Sequence, residues 1–506
     1  MTAQLRLFFV LLSLVGGTQA QTFHVSVSGN DQTGNGSAAN PWASISHAID
    51  QVSDGNIIEV GAGLFNGRVR LDQQFDIPVT IRSALPYAAQ LRHNAGAAVI
   101  CFTCRGVILE GFDISHASNN NGGLVIQIQD LLGSSNGSNG GNDPVVSNIV
   151  IRNNVIHDST DNDLLKVNNG AEDVLIEGNI FYNQAGSDEH IDINSTVGVT
   201  VQDNVFFNTT TQNQTSSFIV IKDSNGDDDT VLGTRNTTVR RNLFMNWQGS
   251  TGQSFIRVGE DGTSNFEADG VLIENNLFLG NSATMIRSAL TIQGSRNVEF
   301  GYNTVSGNLP SRSYAARLIA LGDNQPNEQV SLHNNIWSDP GGTMGAEGFI
   351  GSDVFEASSE GNAASVTLSN NLYYNGGSAI PTDVSQFINL SADSQAIIAN
   401  PDLPLATGIV LPVWTGTQFA GGFDRVSSVF SHFVRTYGRP ESSGGGINRG
   451  KRAGAPDTDI LGNSRGGSPD LGAFERVDLE PEENNDSAFC FPILPGTTDA
   501  SVTVCL

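Results

Sequence analysis

Between residues 107 and 373 apolar and polar positions recur in one order: apolar-x-apolar-x-x-Asn-apolar-aromatic. The order is met at Ile149–Ile156, Val174–Phe181, Val199–Phe206, Thr237–Phe244, Val271–Phe278, Val298–Val305, Val330–Trp337 and Val366–Tyr373, and more weakly at Val107–Ile114, where Phe112 takes the Asn position. The recurring residues are Asn154, Asn179, Asn204, Asn242, Asn276, Asn303, Asn335 and Asn371, 25 residues apart at the tightest spacing. A period of that size predicts a solenoid. The alternating apolar residues predict a strand with one buried face. The polar step after it predicts a bend, where Asn tolerates left-handed backbone and its amide can bond the equivalent Asn one coil away. No Leu-x-x-Leu-x-Leu pattern with helical returns is present, and a β-propeller is the distant second choice. The reading is an all-β, right-handed parallel β-helix, with the recurring asparagines structural rather than chemical.

A second strand precedes each Asn strand: Asp163–Asn168, Glu189–Asn194, Ser217–Lys222, Ser254–Gly259 and Ser288–Gln293. Their third and fifth residues are apolar and are expected to face the core, the second, fourth and sixth to face outward. Adjacent coils lie about 4.8 Å apart, so equivalent residues form columns. One outward column is then Lys166, Asp192, Val220, Arg257 and Thr291. A second is Leu164, His190, Phe218 and Phe255, and a third is Asn168, Asn194 and Lys222. The preceding turns add Asp161, Asp163, Asp188 and Glu189. The following turns add Asp223, Asp227, Asp228, Asp229, Glu260 and Asp261.

Both ends of the chain carry a resemblance. Phe23-His-Val-Ser-Val-Ser-Gly-Asn-Asp, Asn40-Pro-Trp-Ala-Ser-Ile-Ser-His-Ala-Ile-Asp and Asp54-Gly-Asn-Ile-Ile-Glu-Val-Gly-Ala-Gly-Leu-Phe resemble the N-terminal part of extracellular β-helix proteins, among them polysaccharide lyases of the pectate lyase and chondroitinase/alginate lyase types. The resemblance implies a short helix capping the open end of the solenoid, which Ser44 to Val52 fits. Gly462-Asn-Ser-Arg-Gly-Gly-Ser-Pro-Asp-Leu-Gly-Ala-Phe-Glu475 resembles the terminal motif of bacterial surface β-helix proteins with variable anchors. These motifs specify architecture well and activity poorly. The chain therefore divides into an export signal (1–20), an N-terminal cap and first coils (21–98), the repeats (99–375), a region expected to close the C-terminal end (376–476), and a linker with a Cys-containing tail (477–506).

Composition adds a compartment. Arg6, the apolar run Leu7 to Val15 and the small residues up to Ala20 read as a signal peptide, too short for a membrane span. The expected product is secreted or at the cell surface, with no transmembrane span, and monomeric. In that setting disulfides can form. Cys490 with Cys505 is the preferred pair, while Cys101 and Cys104 read equally well as small core residues. With a lone C-x-x-C and no second one in the sequence, no zinc site is expected.

The formal charge of −27, from 52 acidic against 25 basic residues, opposes nucleic acid and anionic membranes. It also opposes a polyanionic sugar unless a cation intervenes. Against that background Lys166, Lys222 and Arg257 on one face, beside an acidic cluster, suit β-elimination on an acidic, uronic-acid-containing polysaccharide. The resemblance to β-helix lyases implies that Ca²⁺ or Arg neutralises the sugar carboxylate and that a Lys, Arg or His, its pKa lowered by neighbouring cations, takes the adjacent proton. Lys166 or Lys222 is the expected base, Arg257 holds the carboxylate and His190 assists. Asp161, Asp163, Asp188, Glu189 and Asp192 supply oxygen ligands suited to Ca²⁺. Two alternatives stand: a glycoside hydrolase pairing Asp163 or Glu189 with Asp192, and a non-catalytic glycan-binding protein whose Phe218 and Phe255 stack on sugars.

Overall fold

The structure, a computed structural model, describes residues 20–117, 122–130, 145–186, 188–209, 215–223, 231–249, 254–284, 286, 288–307, 316–344, 361–380, 382, 390–477, 490–492 and 503–505. The readings made for the export signal up to residue 19, for Asp227, Asp228 and Asp229, and for most of the linker and tail lie outside the described residues.

One coil shows how the chain is wound. Leu165–Asn168, Glu172–Glu177 and Ile180–Gln184 each enter a different sheet, and the next coil repeats the circuit with Ile191–Asn194, Thr200–Gln202 and Val205–Phe207. The described strands of this solenoid form two 12-stranded sheets and one 9-stranded sheet. Neighbouring strands pair in parallel, and Ile176 lies opposite Val201 as the repeat predicts. The fold is a right-handed parallel β-helix.

The asparagine ladder is continuous. Asn179 donates from Nδ2 to Asn204 Oδ1 at 3.1 Å, Asn204 to Asn242 at 3.0 Å, and the relay runs on through Asn276, Asn303 and Asn335 to Asn371. Each Oδ1 also accepts the backbone N–H of the Asn before it, so one fully buried side chain serves several groups that would otherwise be costly orphans. The left-handed backbone sits one residue earlier than expected, at Asn153, Gly178, Asp203, Arg241, Asn275, Tyr302, Asn334 and Asn370. Aromatic residues stack on the same period: Phe181 on Phe206, then Phe244, then Phe278, with ring centroids 5.0, 4.9 and 4.8 Å apart.

At the N-terminal end the helix is shorter than the expected Ser44 to Val52. It spans Ile45–Ile49, with Ser44 Oγ accepting from the N–H of His47, and adds Ile45, Ala48 and Ile49 to the core beside Trp42.

The region after the repeats departs from the expectation that it closes the C-terminal end. Only its first part does so. Asp393 accepts from Asn371 Nδ2 at 2.9 Å, ending the ladder with a carboxylate, and Ile397–Ile398 is the last strand of its sheet. Beyond it the chain turns back along the flank of the solenoid. The helix Val426–Phe433 packs Val426, Val429, Phe430 and Phe433 into a second core with Val155, Ile180, Tyr182, Val205 and Phe207. Its first N–H donates to Tyr87 Oη at 3.2 Å, across 339 residues of sequence. The driving force is apolar: the 12-stranded sheet that contains Ile180–Gln184 carries an outer stripe of valine, isoleucine and aromatic side chains that needs a cover. Arg465, in the terminal motif, is fully buried. It donates to Asn275 Oδ1, Gly472 O, Asp470 O and Glu475 Oε2 and lies over the Tyr302 ring.

Cys101 and Cys104, left open as a pair or as small core residues, are core residues joined by a disulfide. Both are buried, at the turn between Val99–Cys101 and Arg105–Glu110. Residues 476–506 form a separate unit, in which Cys490–Pro492 pairs antiparallel with Thr503–Cys505 and Cys490 lies opposite Cys505. Among the described residues no helix is long and apolar enough to cross a membrane.

Candidate active site

The 9-stranded sheet carries the predicted site. Its register places Lys166 opposite Asp192, Asp192 opposite Val220, Val220 opposite Arg257 and Arg257 opposite Thr291. Asn168, Asn194 and Lys222 align one column over. The coil period alone fixes these columns, because one coil returns the chain to the same sheet one strand further along.

The column Leu164, His190, Phe218 and Phe255 is different. It was expected to face outward, and all four side chains are completely buried. The described strands are short, Leu165–Asn168 and Ile191–Asn194, and Leu164 and His190 precede them at the bend, where strand alternation does not apply. His190 lies against Phe206 and Phe218, its Nε2 paired with Asn208 Oδ1 at 3.0 Å. Burial drives its pKa down to about 3. It is a neutral core histidine and lies off the face. Phe218 and Phe255 stack on each other at 5.5 Å inside the core, which removes them as sugar platforms.

On the face itself charges alternate. Lys166 Nζ donates to Asp192 Oδ2 at 2.6 Å, and Lys222 Nζ lies 3.7 Å from the same oxygen. Lys222 Nζ donates to Glu260 Oε2 at 2.6 Å, and Arg257 Nη1 donates to Glu260 Oε1 at 2.9 Å. Arg257 is further held by Gly259 O through Nε and by Gln293 Oε1 through Nη2. The face is less open than expected: Asp192, Val220 and Thr291 are buried, and the side chains of Lys166, Lys222 and Arg257 are only 23, 12 and 13% exposed.

The protonation states follow from these partners. Burial lowers the pKa of Lys166 and Lys222, but the carboxylates outweigh it. Asp192 and Asp163 hold Lys166 above its ordinary value, and Asp192, Glu260 and Glu189 hold Lys222 above its own. The expected depression by neighbouring cations is therefore reversed.

At one edge of the face Asp163, Asp188 and Glu189 converge, each offering a carboxylate oxygen within 4.8 Å of the others. Asp161 is exposed on the turn, and Asp192 lies on the strand beyond; both act on Asp188 electrostatically rather than completing the triad. Burial and the Asp192 charge push Asp163 up to about 7. Burial with Asp163 and Asp192 raises Glu189, and burial raises Asp188. Asp261, on the far turn, is pushed up to about 6 by burial. Lys166 and Lys222 oppose these upward shifts without cancelling them. One oxygen of Asp192, Oδ1, is buried with no hydrogen-bond partner. An all-oxygen donor set with an excess of negative charge fits Ca²⁺; Asp163, Asp188 and Glu189 would hold it, with Asp192 adjacent.

Sequence reasoning missed the part played by Gln293. It ends the strand Ser288–Gln293 and bridges Arg257 to Asn324 and to Glu260 O. Its place at a strand end, two residues after the Thr291 that lies opposite Arg257, was the available signal.

No protein-family model matches the chain, and no curated protein matches it. Solved structures do. One described as pectate lyase Pel9A aligns over 91% of this chain and 98% of its own with a TM-score of 0.53 and 14% identity. Another, described as a complex of XylC with xylose, aligns over 90 and 98% with a TM-score of 0.50 and 11% identity. At such identities the likeness is one of fold.

Proposed function

We propose that this chain is a Ca²⁺-dependent polysaccharide lyase that cleaves a uronic-acid polymer by β-elimination. The observation that carries the reading is the row of Lys166, Lys222 and Arg257 on one sheet face, abutting the Asp163, Asp188 and Glu189 cluster. Three cationic side chains stand here against the carboxyls of Asp163, Asp188, Glu189, Asp192 and Glu260, so a polyanion is admitted only with added positive charge. Bound Ca²⁺ supplies that charge and neutralises the sugar carboxylate, which makes the neighbouring C–H more acidic. Asp192 leads in holding Lys166 and Lys222 protonated, and the cluster adds Asp163 for Lys166 and Glu189 for Lys222. Where that pull is cancelled, burial and the Lys222 charge favour the neutral amine of Lys166 that a general base needs, while Lys222 stays charged. Arg257, fixed by Gln293 and Gly259, binds a substrate carboxylate.

A second reading rests on Asp163. A carboxyl titrating at about 7 beside Asp192 is also what a glycoside hydrolase uses as its acid. Incubation with pectate, alginate and glycosaminoglycans, with and without Ca²⁺, separates the two. Unsaturated, ultraviolet-absorbing products that require Ca²⁺ support the lyase. New reducing ends without that absorbance replace it with the hydrolase.

A further inference from the structure

Glu260 already occupies the place where an anionic ligand would sit. Its two carboxylate oxygens are taken by two different cations from adjacent coils: Oε2 by Lys222 at 2.6 Å and Oε1 by Arg257 at 2.9 Å. We propose that the gap between Lys222 and Arg257 is a carboxylate subsite for a uronate ring, and that Glu260 fills it as an internal stand-in which the substrate displaces. The inference deepens the reading above and rests on it for the sugar class.

Three features make the subsite independent of its occupant. Arg257 keeps its aim without Glu260, because Gly259 O and Gln293 Oε1 hold two other parts of the guanidinium. Lys222 keeps Asp192 at 3.7 Å. The Glu260 backbone is anchored as well. Its carbonyl accepts from Gln293 Nε2 at 2.9 Å, and the N–H of Gly262 two residues on donates to Glu267 at 2.6 Å. Gly259, at φ +84°, packs so closely on Gln293 O that a Cβ there would come within 1.8 Å of it. The loop is therefore fixed, and a side-chain rotation of Glu260 suffices to vacate the gap. Glu260 is also the most exposed member of the trio, at 21%, so its departure costs little desolvated contact. A uronate entering there exchanges one carboxylate for another. That keeps both cations paired and selects an acidic over a neutral sugar.

The test is a ligand-observed NMR titration of the full chain with D-galacturonate and with D-galactose, neither of which has a glycosidic bond to cleave. Glu260→Gln is expected to tighten galacturonate binding about tenfold or more by removing the competing charge, with galactose unaffected. Adding Arg257→Gln to that variant is expected to abolish the gain. Glu260→Asp, which withdraws the carboxylate by one methylene, gives a smaller gain and serves if Glu260→Gln does not fold. Unchanged galacturonate affinity in the folded variant, or an equal gain for galactose, overturns the subsite. A galacturonate gain with no unsaturated product from any polymer keeps the subsite and rejects the lyase; Ca²⁺-dependent product with no gain does the reverse.

Discussion

Asp192 is shared by two lysines from neighbouring coils: Lys166 donates to its Oδ2 at 2.6 Å and Lys222 lies 3.7 Å from the same atom. Its carboxylate is 2% exposed. Removing one lysine leaves a buried charge half compensated, so Lys166→Ala is expected to lower stability by about 1–3 kcal/mol, short of the loss of an entire buried pair because Lys222 remains. The open-face reading expects no such cost. Denaturant unfolding of Lys166→Ala and Lys166→Arg decides between them, with the arginine variant close to wild type.

Calcium is expected to raise the melting temperature. At a concentration of about 100 times the dissociation constant, mass action contributes about 2.7 kcal/mol. Asp163→Asn or Asp188→Asn should abolish the effect, whereas Glu475→Gln, away from the cluster, should leave it. Calorimetry with millimolar Ca²⁺ that shows neither heat nor thermal shift removes the metal from the mechanism.

The same cluster predicts a pH signature. In metal-free protein Asp163 titrates at about 7, against 3.8 for the free side chain. The folded state thus holds more protons than the unfolded one between those values, and stability falls as pH rises through that window. Ca²⁺ binds the deprotonated carboxylates, so its stabilisation should grow from pH 5 to pH 8. Melting curves with Ca²⁺ and with chelator, whose separation is the same at both pH values, would contradict the assignment.

On a confirmed substrate at least one of Lys166→Ala and Lys222→Ala should lose about 10² or more in turnover, the usual contribution of a general base. His190→Phe should leave turnover of the folded protein near wild type, since the imidazole is enclosed by Phe206 and Phe218. Full activity in both lysine variants would move the active site elsewhere.

Asn242 tests the ladder. Asn242→Ala removes the acceptor for the buried Asn204 N–H and one of the two donors to Asn276 Oδ1, whose other donor, the residue 242 N–H, remains. Each buried polar group left without a partner costs about 1–3 kcal/mol. A loss below that range, measured by denaturant unfolding, would mean that the neighbouring coils rearrange around the gap.

What could be read from the sequence was whatever the coil period controls. The pairing of Ile176 with Val201, the relay from Asn179 to Asn204, and the column from Lys166 to Thr291 are consequences of one spacing. What could not be read depends on details the period ignores. Leu164 and His190 looked outward because alternation was carried past the start of the strand into a bend, whereas Phe218 and Phe255 lie within their strands and are buried all the same. The lysine pKa values were misjudged because their carboxylate partners come partly from a loop, at Glu260, whose direction no periodicity sets. The course of residues 400–475 was missed because their apolar positions follow no repeat and answer to a surface elsewhere on the molecule.

That returning segment changes how the solenoid can come apart. A stack of coils in which each touches only its neighbours can fray from one end, losing one coil at a time. Here Val426 is bonded to Tyr87 and Arg465 to Asn275, so the last coils cannot peel away without stripping a strap that grips the early and middle ones. Unfolding should therefore be concerted rather than graded along the axis. The same long-range closure must form late and slowly in folding, which makes the protein hard to assemble and, once assembled, hard to unravel.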